Sequence, residues 1–524
     1  MSGALRIRSS GRDVIRRCRV VTICLAAAIL HAPTASCAAL SADVRQWRVG
    51  HERVIVEELE AMTRIPSIAA DPQGLSDAAS ALQSLLSNRG FKTRLLSSGP
   101  GAPSVVFGAL DTPSAHRTVV FYAHYDGQPV TRADWASDPF SPVMRSGSIA
   151  PQSRTVDWRT TGLLFDPEWR FYGRAVADDK ASITAFIAAF DALQAIGRPP
   201  AINIRVFWEG EEEVGSPHLE TVLRANADLL KADLWLFGDD PIHQSRTQTI
   251  DFGARGMMLV DATIYGPLRA LHSGHYGNWA PNPAVMATHL VSEMRDDDGN
   301  ILIPHFSDGA RPLTATEMAA IAALPPVEAG LKREYGLGRT EGGEGLTAST
   351  LRPAINVRGF RSGKVGAEAT GAIPTEAQVS FDLRLVPGQS PEVVRRSVEA
   401  FLTTKDWTIV SDTPDVAMRL AHPRLIRLEW QLGYGAFRTN MDLSVSRAVI
   451  AAATRAAGRK VVVLPMLGGS DPLIIFDRVL KTPLIGLPIV NHDDSQHAPN
   501  ENLRLQNLWD GIETYASMMA DLYW

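Results

Sequence analysis

A short apolar run that ends on two polar side chains constrains the fold of this chain more than any other stretch. The run is Thr118-Val-Val-Phe-Tyr-Ala-His-Tyr-Asp-Gly127. Its first half does not alternate, which is typical of a strand buried on both faces. His124 and Asp126 end the run, and side chains two residues apart on a strand share a face. Because open α/β sheets bind ligands outside the carboxyl ends of their strands, the pattern places an imidazole and a carboxylate at such an edge. A pair like this is also common as an ordinary hydrogen-bonded pair at the edge of a core.

Further apolar runs alternate with helical patterns on both sides of this strand. Strands are predicted at Lys92–Leu96, Ile202–Trp208, Asp233–Phe237 and Pro483–Ile489. Helices are predicted at Val44–Met62, at Ser76–Asn88, after Asp179, after an N-cap at Ser216, at Leu443–Ala457 and from Leu505. This order predicts an α/β fold in which a mostly parallel sheet carries helices on both faces.

The pattern changes after Arg255. Gln378–Leu385 alternates strictly between apolar and polar residues, which indicates a strand with one packed and one exposed face. With strands at Met257–Tyr265, at Ala354–Val357 and near Val416–Leu420, this region predicts a ferredoxin-like α+β insert. We therefore predict a catalytic domain in two parts, 39–254 and 435–524, interrupted by a smaller domain at 255–434, in which 296–347 is a long decoration.

The first 38 residues have the pattern of a secretory signal peptide. Six arginines precede the apolar run Val20–Leu30, and the small residues of Thr34–Ala39 follow it. The apolar run is too short to span a bilayer. Residues 1–38 are thus predicted to be removed, which leaves no stable membrane anchor and a periplasmic or secreted protein. A retained anchor, a twin-arginine signal and lipidation at Cys37 remain alternatives.

Cysteine usage and charge exclude several functions. Of 524 residues only Cys18, Cys24 and Cys37 are cysteines, and all three lie in the predicted leader. A mature chain without thiols has no disulfide and no cysteine nucleophile, and any metal must be bound by histidines and carboxylates. The net charge is −5 and there is no long basic run, so nucleic acid is not an expected partner.

Two histidines and three carboxylates follow predicted strands or begin helices beside them. They are His124, Asp178, Glu213, Asp239 and His497. Two imidazoles and three carboxylates fit a pair of divalent ions that share a bridging carboxylate. Such ions lie ~3.5–4 Å apart in hydrolases that use two metals.

Several motifs together resemble the M20 family of di-zinc metallopeptidases, which includes aminoacylases, carboxypeptidases and dipeptidases. The matching motifs occur in order: His124-Tyr-Asp126, Gly173–Lys180, Glu211–Ser216, Asp239, Leu271-His-Ser-Gly274 and His497–Glu501. Ala175, Ala181 and Asn278 depart from the pattern, since relatives carry glycine at these positions.

The resemblance implies a role for each residue. Asp178 would bridge two Zn²⁺ ions, or two Mn²⁺ or Co²⁺ ions, with His124 and Asp239 on one and Glu213 and His497 on the other. Glu212 would be the general base that activates a metal-bridging water, and Asp126 would orient His124. His272 would polarise the scissile carbonyl, within its own subunit or across a homodimer formed through the 255–434 domain, the family's lid. Arg384 would bind a substrate carboxylate, beside a substrate-facing turn at Gly469 and Ser470.

The sequence therefore predicts a hydrolase that cleaves an amide bond next to a free carboxylate, as a dipeptidase or a carboxypeptidase. A deacylase of N-acyl amino acids would share the mechanism and remains an alternative. A binding protein that has lost its metals is a third hypothesis, but it requires missing ligands and all five are present. A serine hydrolase is disfavoured because no Gly-x-Ser-x-Gly motif occurs.

Overall fold

The computed structural model describes residues 34–150, 152–162 and 164–524. Residues 1–33 of the predicted signal peptide lie outside the described residues. Within the described part, no helix combines the length and the apolar character needed to cross a membrane. The α-helices are Thr34–Val49, Glu52–Thr63, Pro72–Ser87, Lys180–Ala195, Leu219–Ala225, Ser273–Tyr276, Pro283–Met294, Ala315–Ala322, Glu328–Glu334, Leu346–Thr350, Pro391–Thr404, Val416–Ala421, Ser444–Ala457, Leu473–Leu480 and Leu505–Ala520.

An eight-stranded main sheet forms the centre of the fold. Its strands, in spatial order, are Lys92–Leu96, Val105–Leu110, Asn203–Glu209, Thr118–His124, Leu234–Phe237, Leu484–Gly486, Thr249–Asp251 and Val462–Leu464. The third to sixth strands of this order run parallel. Thr118–His124 is one of the two inner strands of this parallel group, so the carboxyl ends of four strands meet beside His124.

Alternate residues of the His124 strand pack into two different cores. Val119 and Phe121 face the helices that include Lys180–Ala195 and Leu505–Ala520. Val120 and Tyr122 face the opposite layer, which holds side chains of Leu219–Ala225 and Leu473–Leu480. Burial on both faces explains the continuous apolar run, and it confirms the α/β fold with helices on both faces of the sheet.

A five-stranded second sheet lies between Gly256 and Tyr434. Its spatial order is Ala354–Arg361, Glu376–Leu385, Gly256–Tyr265, Leu425–Tyr434 and Thr408–Val410. The first four strands are antiparallel, and the last pairs in parallel. Helices Pro283–Met294 and Pro391–Thr404 cover one face through a separate core. The division into two domains at 254/255 and 434/435 stays a prediction.

A four-stranded rim sheet and two small two-stranded sheets complete the strands. The rim sheet has the order Asn502–Arg504, Arg170–Tyr172, Val143–Arg145 and Thr155–Val156. The small sheets pair Gly253–Ala254 with Phe437–Arg438 and Leu271–His272 with Ala372–Ile373.

Two sequence predictions about helices and strands are wrong. Val416–Leu420 was expected to be a strand, but Val416–Ala421 is a helix because the Asp415 side chain caps it by accepting the Met418 N–H at 2.8 Å. Ser216 was expected to be an N-cap, but the helix begins only at Leu219, because the Ser216 hydroxyl donates to buried Glu209 instead.

A third prediction is only partly right. The helix expected over Val44–Met62 is divided at Gly50 and His51 into Thr34–Val49 and Glu52–Thr63.

Candidate metal centre and active site

The predicted metal ligands follow the parallel strands of the main sheet. His124 ends strand Thr118–His124. Glu213 lies in the short turn that follows the neighbouring strand Asn203–Glu209, and Asp239 follows Leu234–Phe237. Asp178 lies just before helix Lys180–Ala195, and His497 lies in the loop after Leu484–Gly486. The sheet topology thus brings residues more than 370 positions apart in the sequence to one edge.

The Asp178 carboxylate lies between the two histidines. Its Oδ1 is 2.9 Å from His124 Nε2, and its Oδ2 is 3.1 Å from His497 Nε2. His124 Nε2 is also 3.6 Å from Asp239 Oδ2, and His497 Nε2 is 3.1 Å from Glu213 Oε2. Each oxygen of Asp178 therefore faces one histidine that has a second carboxylate beside it.

The electrostatics of this cluster fit bound cations. Burial raises the pKa of Asp239 well above its usual range, and the nearby Asp178 adds to the effect. Burial and Asp178 also raise the pKa of Glu213. Desolvated carboxylates this close together disfavour ionisation unless positive charge compensates them. Ligand atoms of His124, Asp178 and Glu213 lie within 4.8 Å of one another, as do those of His124, Glu212 and Asp239. The donor set is nitrogen and oxygen, which suits Zn²⁺ and similar divalent ions.

Asp126 holds the turn that carries two glutamates. Its buried carboxylate accepts the backbone N–H of Glu212 at 3.2 Å and that of Glu213 at 3.0 Å. Its backbone oxygen lies 3.2 Å from His124 Nδ1, and its Oδ1 lies 3.4 Å from the same nitrogen. Asp126 therefore contacts the second ring nitrogen of His124, as expected, and also fixes Glu212 and Glu213, which the sequence did not predict.

Glu212 projects into an open cleft beside the cluster. Asp178, Asp239 and His497 also line this cleft, whose volume is about 420 Å³. Burial raises the pKa of Glu212 well above its usual value, and Glu213 adds to the effect. A carboxyl group with a raised pKa beside metal ligands is suited to accept and return a proton.

Three predicted substrate-binding residues lie in the same cleft. Arg384 Nη1 donates to Ser470 Oγ at 2.7 Å, and Gly469 lines the cleft beside them. Arg384 Nε donates to Asp382 Oδ2 at 3.0 Å, which orients the guanidinium. Arg384 comes from the second sheet and Ser470 from the turn after Val462–Leu464, so the cleft lies between the two sheets.

His272 is the predicted site residue that lies apart from both the carboxylate–histidine cluster and the cleft. It is exposed at the end of Leu271–His272, where its ring accepts the Gly274 N–H at 3.1 Å and lies 4.5 Å from the His275 ring. These side-chain contacts are with its own short segment, while its strand pairs with Ala372–Ile373.

Several residues of the site were missed by sequence reasoning. Tyr434 lines the cleft and donates to the backbone oxygen of Ser470 at 2.7 Å. Gln496 donates to Asp178 Oδ2 at 3.0 Å, and Gln128 donates to Glu213 Oε2 at 2.8 Å.

Glu501 fixes the Asp178 loop from below. Its buried carboxylate accepts from Arg174 Nη1 at 2.8 Å and from the backbone N–H groups of Ala175, Ala177 and Asp178 at 3.0, 2.9 and 3.0 Å. The only sequence signal for Glu501 was its position at the end of the His497 motif.

A sequence model of "Peptidase family M20/M25/M40" matches residues 120–521, which include every one of the five predicted metal ligands. The chain belongs to peptidase family M20/M25/M40. It is therefore a metallopeptidase-type hydrolase that acts on peptide or amide bonds, as the sequence predicted.

Curated proteins that are similar to this chain include dipeptidases. The Cys-Gly metallodipeptidase of Schizosaccharomyces pombe is 26% identical over 431 residues, covering 80% of this chain and 83% of the relative. The human Beta-Ala-His dipeptidase is 23% identical over 430 residues, covering 80% and 78%. Among solved structures, the M20 family metallo-carboxypeptidase Sso-CP2 of Sulfolobus solfataricus superimposes with a TM-score of 0.71 at 25% identity, covering 88% of this chain and 98% of that one.

The departures from the M20 pattern have a backbone explanation at two positions. Ala175 has φ 60° and Asn278 has φ 60°. This left-handed region favours glycine and, among other residues, asparagine. Glycine at these positions would adopt the same loop conformation without the steric cost.

Proposed function

We propose that this M20 enzyme is a two-metal dipeptidase that cleaves the peptide bond next to a free carboxylate. The observation that carries the proposal is the Asp178 carboxylate, whose two oxygens face two separate histidine–carboxylate pairs, His124 with Asp239 and His497 with Glu213. The names of the S. pombe and human relatives, a Cys-Gly and a Beta-Ala-His dipeptidase, support the substrate class.

His124, Asp178 and Asp239 would hold one divalent ion, and Asp178, Glu213 and His497 the other. We propose Zn²⁺, with Mn²⁺ or Co²⁺ as alternatives. When bound, such ions act as Lewis acids on the scissile carbonyl and on water.

Glu212 would take the proton from the attacking water and pass it to the leaving amine. It lines the cleft and makes no side-chain hydrogen bond with the described residues, so its carboxylate is free for this work. The two N–H groups bound by Asp126 keep the Glu212–Glu213 turn in place, so that one glutamate serves as a ligand while its neighbour moves the proton.

Arg384 and Ser470 would bind the carboxylate of the substrate. A guanidinium donates two parallel hydrogen bonds to a carboxylate. Asp382 already occupies Nε, and Nη1 is held by Ser470, so the group is oriented before substrate arrives. Burial raises the pKa of Tyr434, which therefore stays a neutral hydrogen-bond donor that holds Ser470.

A free amino group on the substrate is favoured over an N-acyl group. Asp240 and Asp471 line the cleft next to the metal ligands, and burial raises the pKa of both carboxyl groups. A nearby ammonium group compensates such carboxylates when they are ionised, whereas a neutral acyl chain does not. We therefore keep the N-acyl-amino-acid deacylase as the second candidate.

His272 would polarise the scissile carbonyl from a neighbouring copy of the chain. Its exposed position outside the cleft supports a site completed by a homodimer through the second sheet's region. Mixing inactive His272→Ala with inactive Glu212→Gln should then restore part of the activity, because one active site of each mixed dimer has both residues. No recovery in verified mixed dimers would argue against this role.

Glu212→Gln tests the proposed function directly. We expect it to bind both metals like wild type and to lose dipeptide hydrolysis, because the amide cannot accept the proton. Glu211→Gln is the matched control, since Glu211 faces His218 at 2.9 Å and not the cleft. Dipeptides, N-acyl amino acids and dipeptide amides should be compared with and without chelator. Retained turnover in Glu212→Gln, or exclusive turnover of N-acyl amino acids, would contradict the dipeptidase proposal.

The inference that the enzyme acts outside the cytoplasm depends on the predicted signal peptide alone. The periplasmic or secreted location therefore stays a prediction, and N-terminal sequencing of the protein from its native host tests it.

A further inference from the structure

A second cavity of about 280 Å³ opens off the active-site cleft. The two spaces share Asp240, Gly469 and Gln496 as lining residues. Arg384 and Tyr434 line only the cleft. The cavity therefore adjoins the reaction site but is separate from the carboxylate-binding residues.

The Gly468–Ser470 turn separates the cavity from the carboxylate-binding residues. At one end of the turn, the Ser470 hydroxyl accepts from Arg384. At the other end, a Cβ on Gly468 would lie 3.3 Å from Thr350 Cγ2, so helix Leu346–Thr350 packs directly against the turn. Arg255 fixes the turn from behind, donating from Nε to the Gly468 oxygen at 2.7 Å.

The wall of the cavity is mixed, with His243, Gln244, Thr347 and Thr350 as polar side chains beside a group of apolar ones. Ile242, Leu464, Met466 and Leu467 are buried around it, and Leu346 of the helix covers it from the other side. Methionine adapts to side chains of different shape. Asp240, at the opening shared with the cleft, is the acidic side chain of the lining.

We propose that this cavity binds the side chain of the substrate residue on the amino-terminal side of the scissile bond, and that it selects an apolar side chain. The inference rests on the proposed function, because it requires a peptide whose carboxylate is bound at Arg384. A peptide held there, with its scissile bond at Asp178, must place its amino-terminal residue beyond the metal centre. Gln496, which donates to Asp178 and also lines the cavity, marks where that residue would enter.

The helix that covers the cavity begins at the end of the predicted decoration, 296–347. Residues 346–350 would therefore influence which substrates bind, without taking part in the reaction at the metal centre. An extra methylene in an apolar pocket changes kcat/KM by roughly 10-fold or more. Leu-Gly and Phe-Gly should therefore exceed Gly-Gly in kcat/KM by at least about 10-fold.

The test uses the full-length, metal-loaded enzyme and two series of dipeptides. One series varies the amino-terminal residue (Gly-Gly, Ala-Gly, Leu-Gly, Phe-Gly), and the other varies the carboxyl-terminal residue (Gly-Leu, Gly-Phe). Thr347→Trp fills the cavity, because Thr347 lines it and its hydroxyl makes no hydrogen bond with the described residues. Thr347→Ser is the matched control, and Leu346→Trp is a second filling variant if the first has a lowered melting temperature.

We expect Thr347→Trp to lower kcat/KM for Leu-Gly and Phe-Gly by at least about 10-fold, while Gly-Gly and the Gly-Leu series stay close to wild type. Thr347→Ser should keep the wild-type preference. Equal rates across the amino-terminal series, or an unchanged preference in both folded tryptophan variants, would overturn the subsite and leave the dipeptidase proposal standing. Failure to hydrolyse any of the dipeptides would overturn the dipeptidase proposal and the subsite with it.

Discussion

Replacing Asp126 by asparagine tests how the turn that carries the general base is held. The buried carboxylate accepts the N–H of Glu212 at 3.2 Å and that of Glu213 at 3.0 Å. Asparagine keeps one oxygen acceptor but places an NH₂ group opposite the other N–H, so one of the two bonds is lost. A hydrogen bond to a charged group contributes about 1.5–3 kcal/mol.

A loss of about 2 kcal/mol corresponds to roughly a 30-fold change in an equilibrium or a rate. We therefore expect Asp126→Asn to weaken metal binding, or to lower kcat at saturating metal, by about 10–100-fold. Competition with a fluorescent chelator measures the first quantity, and dipeptide hydrolysis measures the second.

Asp71→Asn is the control for Asp126→Asn. Asp71 accepts the Gly74 N–H at 2.9 Å as a helix cap and does not line the cleft. Asparagine and aspartate are about equally good helix N-caps, so metal affinity and kcat should not change. If Asp126→Asn also binds metal and turns over like wild type, the two backbone contacts do not hold the active turn, and the reasoning is refuted.

Three further changes follow from contacts in the site. Arg384→Ala should raise KM for dipeptides by roughly 10–100-fold, since it removes a charge-assisted contact of about 1.5–3 kcal/mol. Dipeptide amides should be unaffected, and an equal change for both substrates would rule out the carboxylate contact. Glu501→Gln should lower the free energy of unfolding by about 3–5 kcal/mol, because Arg174 is left buried without its charged partner; urea denaturation measures this, and a stability like that of wild type would contradict it. Ala175→Gly should stabilise the protein by about 1 kcal/mol by relieving the left-handed φ, whereas Ala177→Gly should destabilise it, and melting temperatures that change in the same direction would contradict the explanation.

The sequence predicted the main sheet well because its strands are long apolar runs buried on both faces. The five predicted metal ligands lie at one edge for the same reason, since each was found by its position at the end of a strand or the start of a helix. Ala354–Val357 was predicted too short, because residues 358–361 are exposed and lack an apolar pattern.

What the sequence could not predict depends on contacts between distant segments. In the sequence, Tyr434 is an ordinary strand residue. Only the folded structure shows that its hydroxyl contacts Ser470, which lies 36 positions later. Glu501 has no recognisable role until the backbone of Ala175–Asp178 is folded over it. Helix Leu346–Thr350 begins where the predicted decoration ends, and its packing on Gly468 depends on how the second sheet's region meets the main sheet.

The metal content of the purified protein tests the central proposal most directly. We predict two divalent ions per chain by elemental analysis, loss of activity when a chelator removes them, and loss of both high-affinity ions in Asp178→Ala, because alanine removes both carboxylate oxygens, which face the two proposed ion positions. Full activity in metal-free protein, or two tightly bound ions in Asp178→Ala, would contradict the account.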